Sequence, residues 1–162
     1  MPQRPKGPDP LAPTGAQWFY ARWCALECVH LWPCPPLVRE YLETGDPAQA
    51  SMREGESDAA PRETAAGLTS QYVWLGGPPR LGFGADGCAA VSAHYAATGN
   101  IAGAAEHAIR ALAWAALDAA QEEVSTPFTA RERMEILNAG RLRLEEVFAA
   151  AAREIFEGDR TL

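Results

Sequence analysis

The chain has 162 residues, of which 48% are apolar and 22% charged, and its formal net charge is −7. This length suits one domain with a sizeable core, and the composition excludes wholesale disorder. The acidic balance argues against nucleic acid or an anionic membrane as a partner, because phosphate binding needs clustered Lys and Arg. No segment approaches the roughly 18–20 continuous apolar residues of a membrane-spanning helix, so we expect a cytoplasmic protein.

Cysteine and proline usage bounds the organisation of the chain. Three of the four cysteines fall between residues 24 and 34, which does not resemble a disulfide framework, so we expect reduced thiols. The first thirteen residues contain five prolines and predict an extended arm rather than a secretory signal. The resulting division is a disordered arm over 1–13, one helical domain over 14–158 and a tail over 159–162.

The first predicted helix begins at Thr14. Thr14 and Gln17 fit the reciprocal capping pattern that satisfies two backbone donors, and Pro33 must stop the helix near Trp32. Apolar residues lie around its whole circumference. That distribution is typical of a helix that is buried on several sides or lies at an interface.

Two shorter helices are predicted next. Pro36 suits the first turn of a helix over 37–44, which Gly45 ends, and a second set of start signals predicts a short helix over 47–54. Residues 55–66 are polar and small, and they predict a loop that can include one helical turn after Pro61.

The stretch 72–87 contains five glycines and two prolines and predicts an irregular excursion from the helical domain. It lacks the Gly-Lys-Ser/Thr ending of a phosphate-binding loop. Because loops on a rigid scaffold often carry binding, its larger side chains are candidates for a small-molecule recognition surface. They are Tyr72, Trp74, Arg80 and Phe83.

Three capping signals organise the second half of the chain. Asp86 is predicted to cap a helix over 88–98, and Asn100 to cap a helix over 101–124. Thr129 and Glu132 form a capping pattern that opens a long helix reaching Gly158.

Apolar residues of this last helix recur at alternating spacings of three and four, which is the seam of a helix packed in a bundle. The interface candidates on the seam are Met134, Leu137, Arg141, Leu144 and Phe148. Arg141 interrupts the apolar pattern, so we expect it to meet a carboxylate or to extend to the surface. The predicted fold is all-α, a bundle of about five or six helices with one irregular excursion.

A second group of side chains could bind a metal. Cys24 and Cys28 lie one helical turn apart, and Glu27 and His30 have the spacing of carboxylate–histidine sites in helical bundles. With His94 and His107, the chain has three imidazoles that could bind zinc or another transition metal if the helices brought them together. The alternative is that the two cysteines are buried apolar residues.

Residues Trp23 to Asp46 resemble the opening of a group of alanine-rich bacterial immunity proteins. The matching residues are Trp23, Cys24, Ala25, Val29, His30, Leu31 and Gly45. The match covers about one sixth of the chain, and residues 55–87 depart from the long alanine-rich helices of that group. The resemblance implies an acidic helical protein that binds a partner, and it carries over no catalytic residues.

No complete catalytic set is present, and a Gly-x-Ser-x-Gly elbow is absent. We therefore predict a non-enzymatic helical protein, without a cofactor, that binds another protein or itself. Two alternatives stay open. One is a metal-binding bundle enzyme or sensor that uses histidine with glutamate or cysteine, and the other is a small-molecule binder through residues 72–87.

Overall fold

A computed structural model describes residues 13–45, 61–76 and 84–159 of the chain. Within these ranges the fold is all-α, as predicted, and no strand is present. Six helices follow one another along the chain: α1 Gly15–Glu27, α2 Pro36–Thr44, α3 Pro61–Ser70, α4 Ala85–Thr98, α5 Ile101–Glu122 and α6 Ala130–Asp159. A 3₁₀ turn over Val29–Leu31 follows α1, and a π-helical turn over Gln71–Gly76 follows α3. Most of the predicted arm, the predicted helix over 47–54 and the end of the tail lie outside the described residues.

Three of the predicted helix starts are confirmed by their hydrogen bonds. At α1, the Thr14 N–H donates to Gln17 Oε1 (2.9 Å) and the Gln17 N–H to Thr14 Oγ1 (3.2 Å). The same reciprocal pair joins Thr129 and Glu132 at α6 (2.9 and 3.2 Å). At α5, Asn100 Oδ1 accepts from the Gly103 N–H at 2.8 Å. Each cap satisfies donors that the first helical turn leaves open.

The predicted end of α1 is wrong. The α-helix ends at Glu27, and Cys28 leaves helical geometry (φ −117°, ψ 9°) before the 3₁₀ turn. The tighter turn redirects the chain so that Trp32 becomes buried, with its ring edge-on to Tyr72 at 5.0 Å. Pro33 sets the last position at which the helix could end. The chain leaves helical geometry earlier, at Cys28, in the turn that buries Trp32.

Residues 61–66 of the predicted loop are helical: the single turn considered after Pro61 is the start of the ten-residue helix α3. Pro61 opens α3, because proline's fixed φ suits the first helical position, and Ala65 and Thr69 become buried one turn apart. The irregular stretch over 72–87 is shorter than predicted, since its first five residues continue helically and its last three belong to α4. Asp86 is not the N-cap of α4: Gly84 takes that position, and Asp86 lies in the first turn, where the helix dipole favours a carboxylate.

The core is built around α4, which packs against α5, α1 and α3. Gly99, at φ +86°, turns the chain back so that α4 and α5 form a hairpin. Small side chains let the two helices approach closely, and the Ser92 hydroxyl donates to the Ala104 carbonyl across them at 2.7 Å. A Cβ atom at Gly103 would lie 2.7 Å from Tyr95 Cδ2, so the packing requires glycine there.

α1 packs against α5, α4, α6 and α2, which fits the prediction of a helix buried on several sides. α6 packs mainly against α5 and α1. Its contact with α1 centres on Phe148, whose ring meets Trp23 edge-on at 5.0 Å and whose carbonyl accepts from the Tyr20 hydroxyl at 3.5 Å. None of the described helices combines the length and apolar character needed to cross a membrane.

Candidate functional site

The predicted histidine ligands do not come together. His30 is exposed on the 3₁₀ turn. His94 Nδ1 lies 3.0 Å from the Thr69 hydroxyl, and His107 Nδ1 lies 2.9 Å from the Gly103 carbonyl on its own helix. The Tyr95 ring neighbours both, with centroids 6.0 Å from His94 and 5.2 Å from His107. The imidazoles of His94 and His107 are therefore held by local packing and hydrogen bonding.

Cys24 and Cys28 lie in the core, whereas Glu27 between them is exposed. Burial raises the pKa of each of these two thiols to about 12, and Cys28 Sγ contacts the Ala25 carbonyl at 3.5 Å. They are therefore protonated at neutral pH and pack as small apolar side chains. Among the described residues, no three His, Cys, Asp or Glu side chains are grouped so that they could hold a metal ion.

The predicted binding loop is described only at its start. Tyr72 is half-buried against Trp32, and burial raises the pKa of its hydroxyl. Tyr72 therefore serves packing of the π-helical turn. The side chain of Trp74, and Arg80 and Phe83 altogether, lie outside the described residues.

The predicted seam of α6 divides at Arg141. C-terminal to it, Phe148 is buried and Leu144 packs partly against the core. N-terminal to it, Met134 is 57% exposed and Leu137 is half-buried. Among the residues that the structure describes, Arg141 forms no ion pair with another helix. Its Nε instead donates to Glu145 Oε1 on α6 itself at 3.0 Å.

The open part of the seam borders a pocket of about 320 Å³ between α5 and α6. A Cβ atom at Gly140 would lie 3.9 Å from Ala113 Cβ, so the two helices are close there. Apolar and polar side chains share the lining. The pocket residues are Cys88, Arg110, Ala113, Trp114, Met134, Leu137, Asn138 and Arg141.

The floor of the pocket is buried, and its rim carries charged side chains. Cys88 and Ala113 are buried, and burial raises the pKa of the Cys88 thiol, although the nearby Arg110 charge partly opposes that shift. Arg110 and Arg141 are both partly exposed, with side chains 44% and 49% accessible. Asn138 adds an exposed amide to the pocket lining.

Sequence reasoning found three of the eight pocket residues, Met134, Leu137 and Arg141, and assigned them to an interface. It missed the α5 and α4 contributions, because the periodicity of one helix does not show which residues of neighbouring helices lie opposite it. The sequence did contain one indication of the pocket. Arg141 is a charged residue on the packing face of α6, and a charge there indicates that a neighbouring helix does not fully cover that face.

Comparison of the chain with models of protein families, with curated proteins and with solved structures finds no match.

Proposed function

We propose that this chain is a non-enzymatic helical protein that acts by binding protein partners, and that a second copy of itself is one of them. The observation that carries the proposal is α6. It is 30 residues long, yet Gly140 and Phe148 are its only buried positions within residues 130–158. Helices in proteins gain most of their stability from packing. A second molecule packed against α6 would bury helix surface that its own domain leaves exposed.

The surface that would receive a partner is the outer face of α6, defined as Ala139, Leu142, Arg143, Glu146, Val147 and Ala150. These positions recur at spacings of three and four and so share one side of the helix. Leu142 is 63% exposed and Val147 56%. A partner packed against this side of α6 would cover both of these large apolar side chains.

The charge distribution of α6 favours self-association in an antiparallel sense. Residues 130–144 contain four arginines and two glutamates, a net charge of +2, whereas residues 145–159 contain one arginine and five carboxylates, a net charge of −4. Two α6 helices packed antiparallel bring the positive half of each copy beside the negative half of the other. Such complementarity selects both orientation and partner.

The outer face is also self-complementary about the midpoint of α6. Leu142 and Val147 lie equally far on either side of it, as do Arg143 and Glu146 and, farther out, Ala139 and Ala150. A two-fold axis at the midpoint would therefore set Arg143 level with Glu146 of the second copy. Leu142 and Val147 lie about 140° apart around the helix, so they would flank this charged centre on its two sides. This is the isologous interface expected of a symmetric dimer.

The expected dimer is weak. α6 is about 45 Å long at 1.5 Å per residue, and a single helix pair covers less surface than the roughly 800 Å² per partner of a standard stable interface. We expect dissociation in the micromolar range, so analytical ultracentrifugation of the full chain from about 1 to 500 µM should show a monomer–dimer equilibrium. A strict monomer at the highest concentration would contradict self-association.

Charge exchange tests the register. Arg143→Glu places two like-charged pairs in the symmetric interface and should weaken the dimer at least about tenfold, whereas the double variant R143E/E146R should restore it. Arg39→Glu, at an exposed arginine of α2, is the matched control and should leave the equilibrium unchanged. A dimer that R143E does not weaken would place the interface elsewhere.

Two further features support a partner-binding role in the cytoplasm. The resemblance of residues 23–46 to bacterial immunity proteins implies partner binding, and the acidic net charge is compatible with it. None of the four cysteines forms a disulfide, and their thiols are buried or partly buried, as suits a reducing compartment.

A further inference from the structure

The pocket between α5 and α6 faces inward from α6, away from the outer face proposed for self-association, and it has the construction of a ligand site. Its volume of about 320 Å³ lies within the roughly 300–1,000 Å³ range of small-molecule pockets. Such pockets combine an apolar lining with a few polar groups that orient the ligand. Here Trp114, Leu137 and Met134 provide apolar surface, and three polar side chains accompany them.

Both arginines of the pocket have unused hydrogen-bond donors. Arg110 donates to Glu106 Oε1 through Nη2 (2.6 Å), and Arg141 donates to Glu145 Oε1 through Nε (3.0 Å). A guanidinium group carries five N–H donors, so each contact leaves several available. Nη1 of Arg110 and both Nη atoms of Arg141 make no hydrogen bond to the described residues.

The glutamates also orient the two arginines. Each ion pair joins residues four apart on one helix, so it holds the guanidinium against its own helix without closing the space between α5 and α6. Arg141 occupies a seam position where an apolar side chain would close that space. Two planar guanidinium groups around one opening match the planar fork of a carboxylate.

We propose that this pocket binds a small molecule composed of an aromatic ring and a carboxylate. The ring would lie against Trp114 and Leu137, and the carboxylate would accept hydrogen bonds from Arg110 and Arg141, with Asn138 as a third polar contact. Arg133, whose guanidinium lies 6.0 Å from the Trp114 ring centroid, adds positive charge nearby. A free inorganic anion would meet the arginines but leave the apolar surface uncovered.

Calorimetric titration of the full chain with 2-naphthoate tests the proposal, with 2-naphthamide as a ligand of the same shape without the charge. For a ligand of this size we expect a dissociation constant on the order of 0.1–1 mM. The amide should bind at least about tenfold more weakly, because charge-assisted hydrogen bonds are the stronger ones. Inorganic phosphate at equal concentration should not compete. Absence of naphthoate binding at several millimolar, equal binding of the amide, or competition by phosphate would each overturn the proposal.

Variants locate the site. Arg141→Gln should weaken naphthoate binding about tenfold, and Asn138→Trp, at an exposed position of the rim, should block it by filling the opening. Arg131→Gln is the matched control, because Arg131 pairs with Glu135 in the same four-residue geometry but does not line the pocket. Equal weakening in R131Q and R141Q would show a general charge effect and overturn the assignment. The R143E variant should bind naphthoate normally, because Arg143 does not line the pocket, so loss of self-association and loss of ligand binding are separable.

Discussion

α4 and α6 are both regular helices, yet they use their residues in opposite ways. Eight of the 14 residues of α4 are buried, and its sequence contains one Asp, Asp86, and no Glu, Lys or Arg. α6 is twice as long, carries five arginines and seven carboxylates, and buries two positions within residues 130–158. The comparison separates two tasks within one bundle. Small residues on α4 hold the domain together, whereas α6 lies along that domain and presents most of its surface to solvent.

Phe148 is where α6 is most firmly attached, so its removal should have the largest effect. Phe148→Ala deletes a side chain that is 2% exposed and lies edge-on to Trp23. We expect it to lower the free energy of unfolding by about 3–4 kcal/mol, measured by urea denaturation.

The neighbouring residue supplies the control. Val147 is 56% exposed on the outer face, so Val147→Ala should change stability by less than about 0.5 kcal/mol in the monomer. Similar losses in the free energy of unfolding for F148A and V147A would mean that α6 does not pack through its Phe148 side. The contrast between its two faces would then fail.

Glycine substitutions compare the two helix contacts of α5 directly. At Gly103, in the α4–α5 contact, an added Cβ would lie 2.7 Å from Tyr95 Cδ2 and 2.8 Å from Asn100 Cγ. Overpacking costs about 1–3 kcal/mol, which exceeds the roughly 1 kcal/mol that alanine gains in a helix. Gly103→Ala should therefore destabilise the protein by about 1 kcal/mol.

At Gly140, in the α5–α6 contact, the same substitution should act with the opposite sign. The nearest atom to an added Cβ is Ala113 Cβ at 3.9 Å, an ordinary contact. Gly140→Ala should stabilise the protein by about 0.5–1 kcal/mol, as should Gly67→Ala on α3, where no atom lies within 4 Å. Destabilisation by G140A would show that α6 packs against α5 as closely as α4 does.

The all-α fold and the starts of three helices could be predicted from the sequence, because capping is local. Thr14, Asn100 and Thr129 each satisfy donors within their own first turn. The end of α1 and the existence of α3 could not be predicted in this way. Burial of Trp32 and Ala65 against other elements decided both, and local propensity contains no information about such contacts.

The candidate sites show the same limit. Spacing predicted that Cys24 and Cys28 share a helix face, and they do lie together in the core, but the buried environment that keeps them protonated comes from neighbouring helices. The seam on α6 could be predicted as a periodic pattern. Whether it closes against α5 depends on how the two helices pack around Gly140 and Ala113, which neither sequence segment specifies.

The smallest expected effect concerns pH and again lies in α4. Burial lowers the pKa of His94, with a backbone hydrogen bond to Ala66 partly opposing it, so the folded protein holds this imidazole neutral more strongly than the unfolded chain does. As the pH falls through the unfolded value of about 6.5, the unfolded chain takes up the proton first. Stability is fully present above that value and decreases as the pH falls toward the folded pKa.

His94→Gln should therefore flatten the decrease in the free energy of unfolding between pH 7.5 and 5.5, by less than about 1 kcal/mol because the side chain is only half-buried. Urea denaturation at the two pH values gives the slope for each variant, independently of what the substitution does at pH 7.5. A slope that H94Q does not alter would show that protonation of His94 is not its source, and the pH response would then not belong to the packed interior around α4.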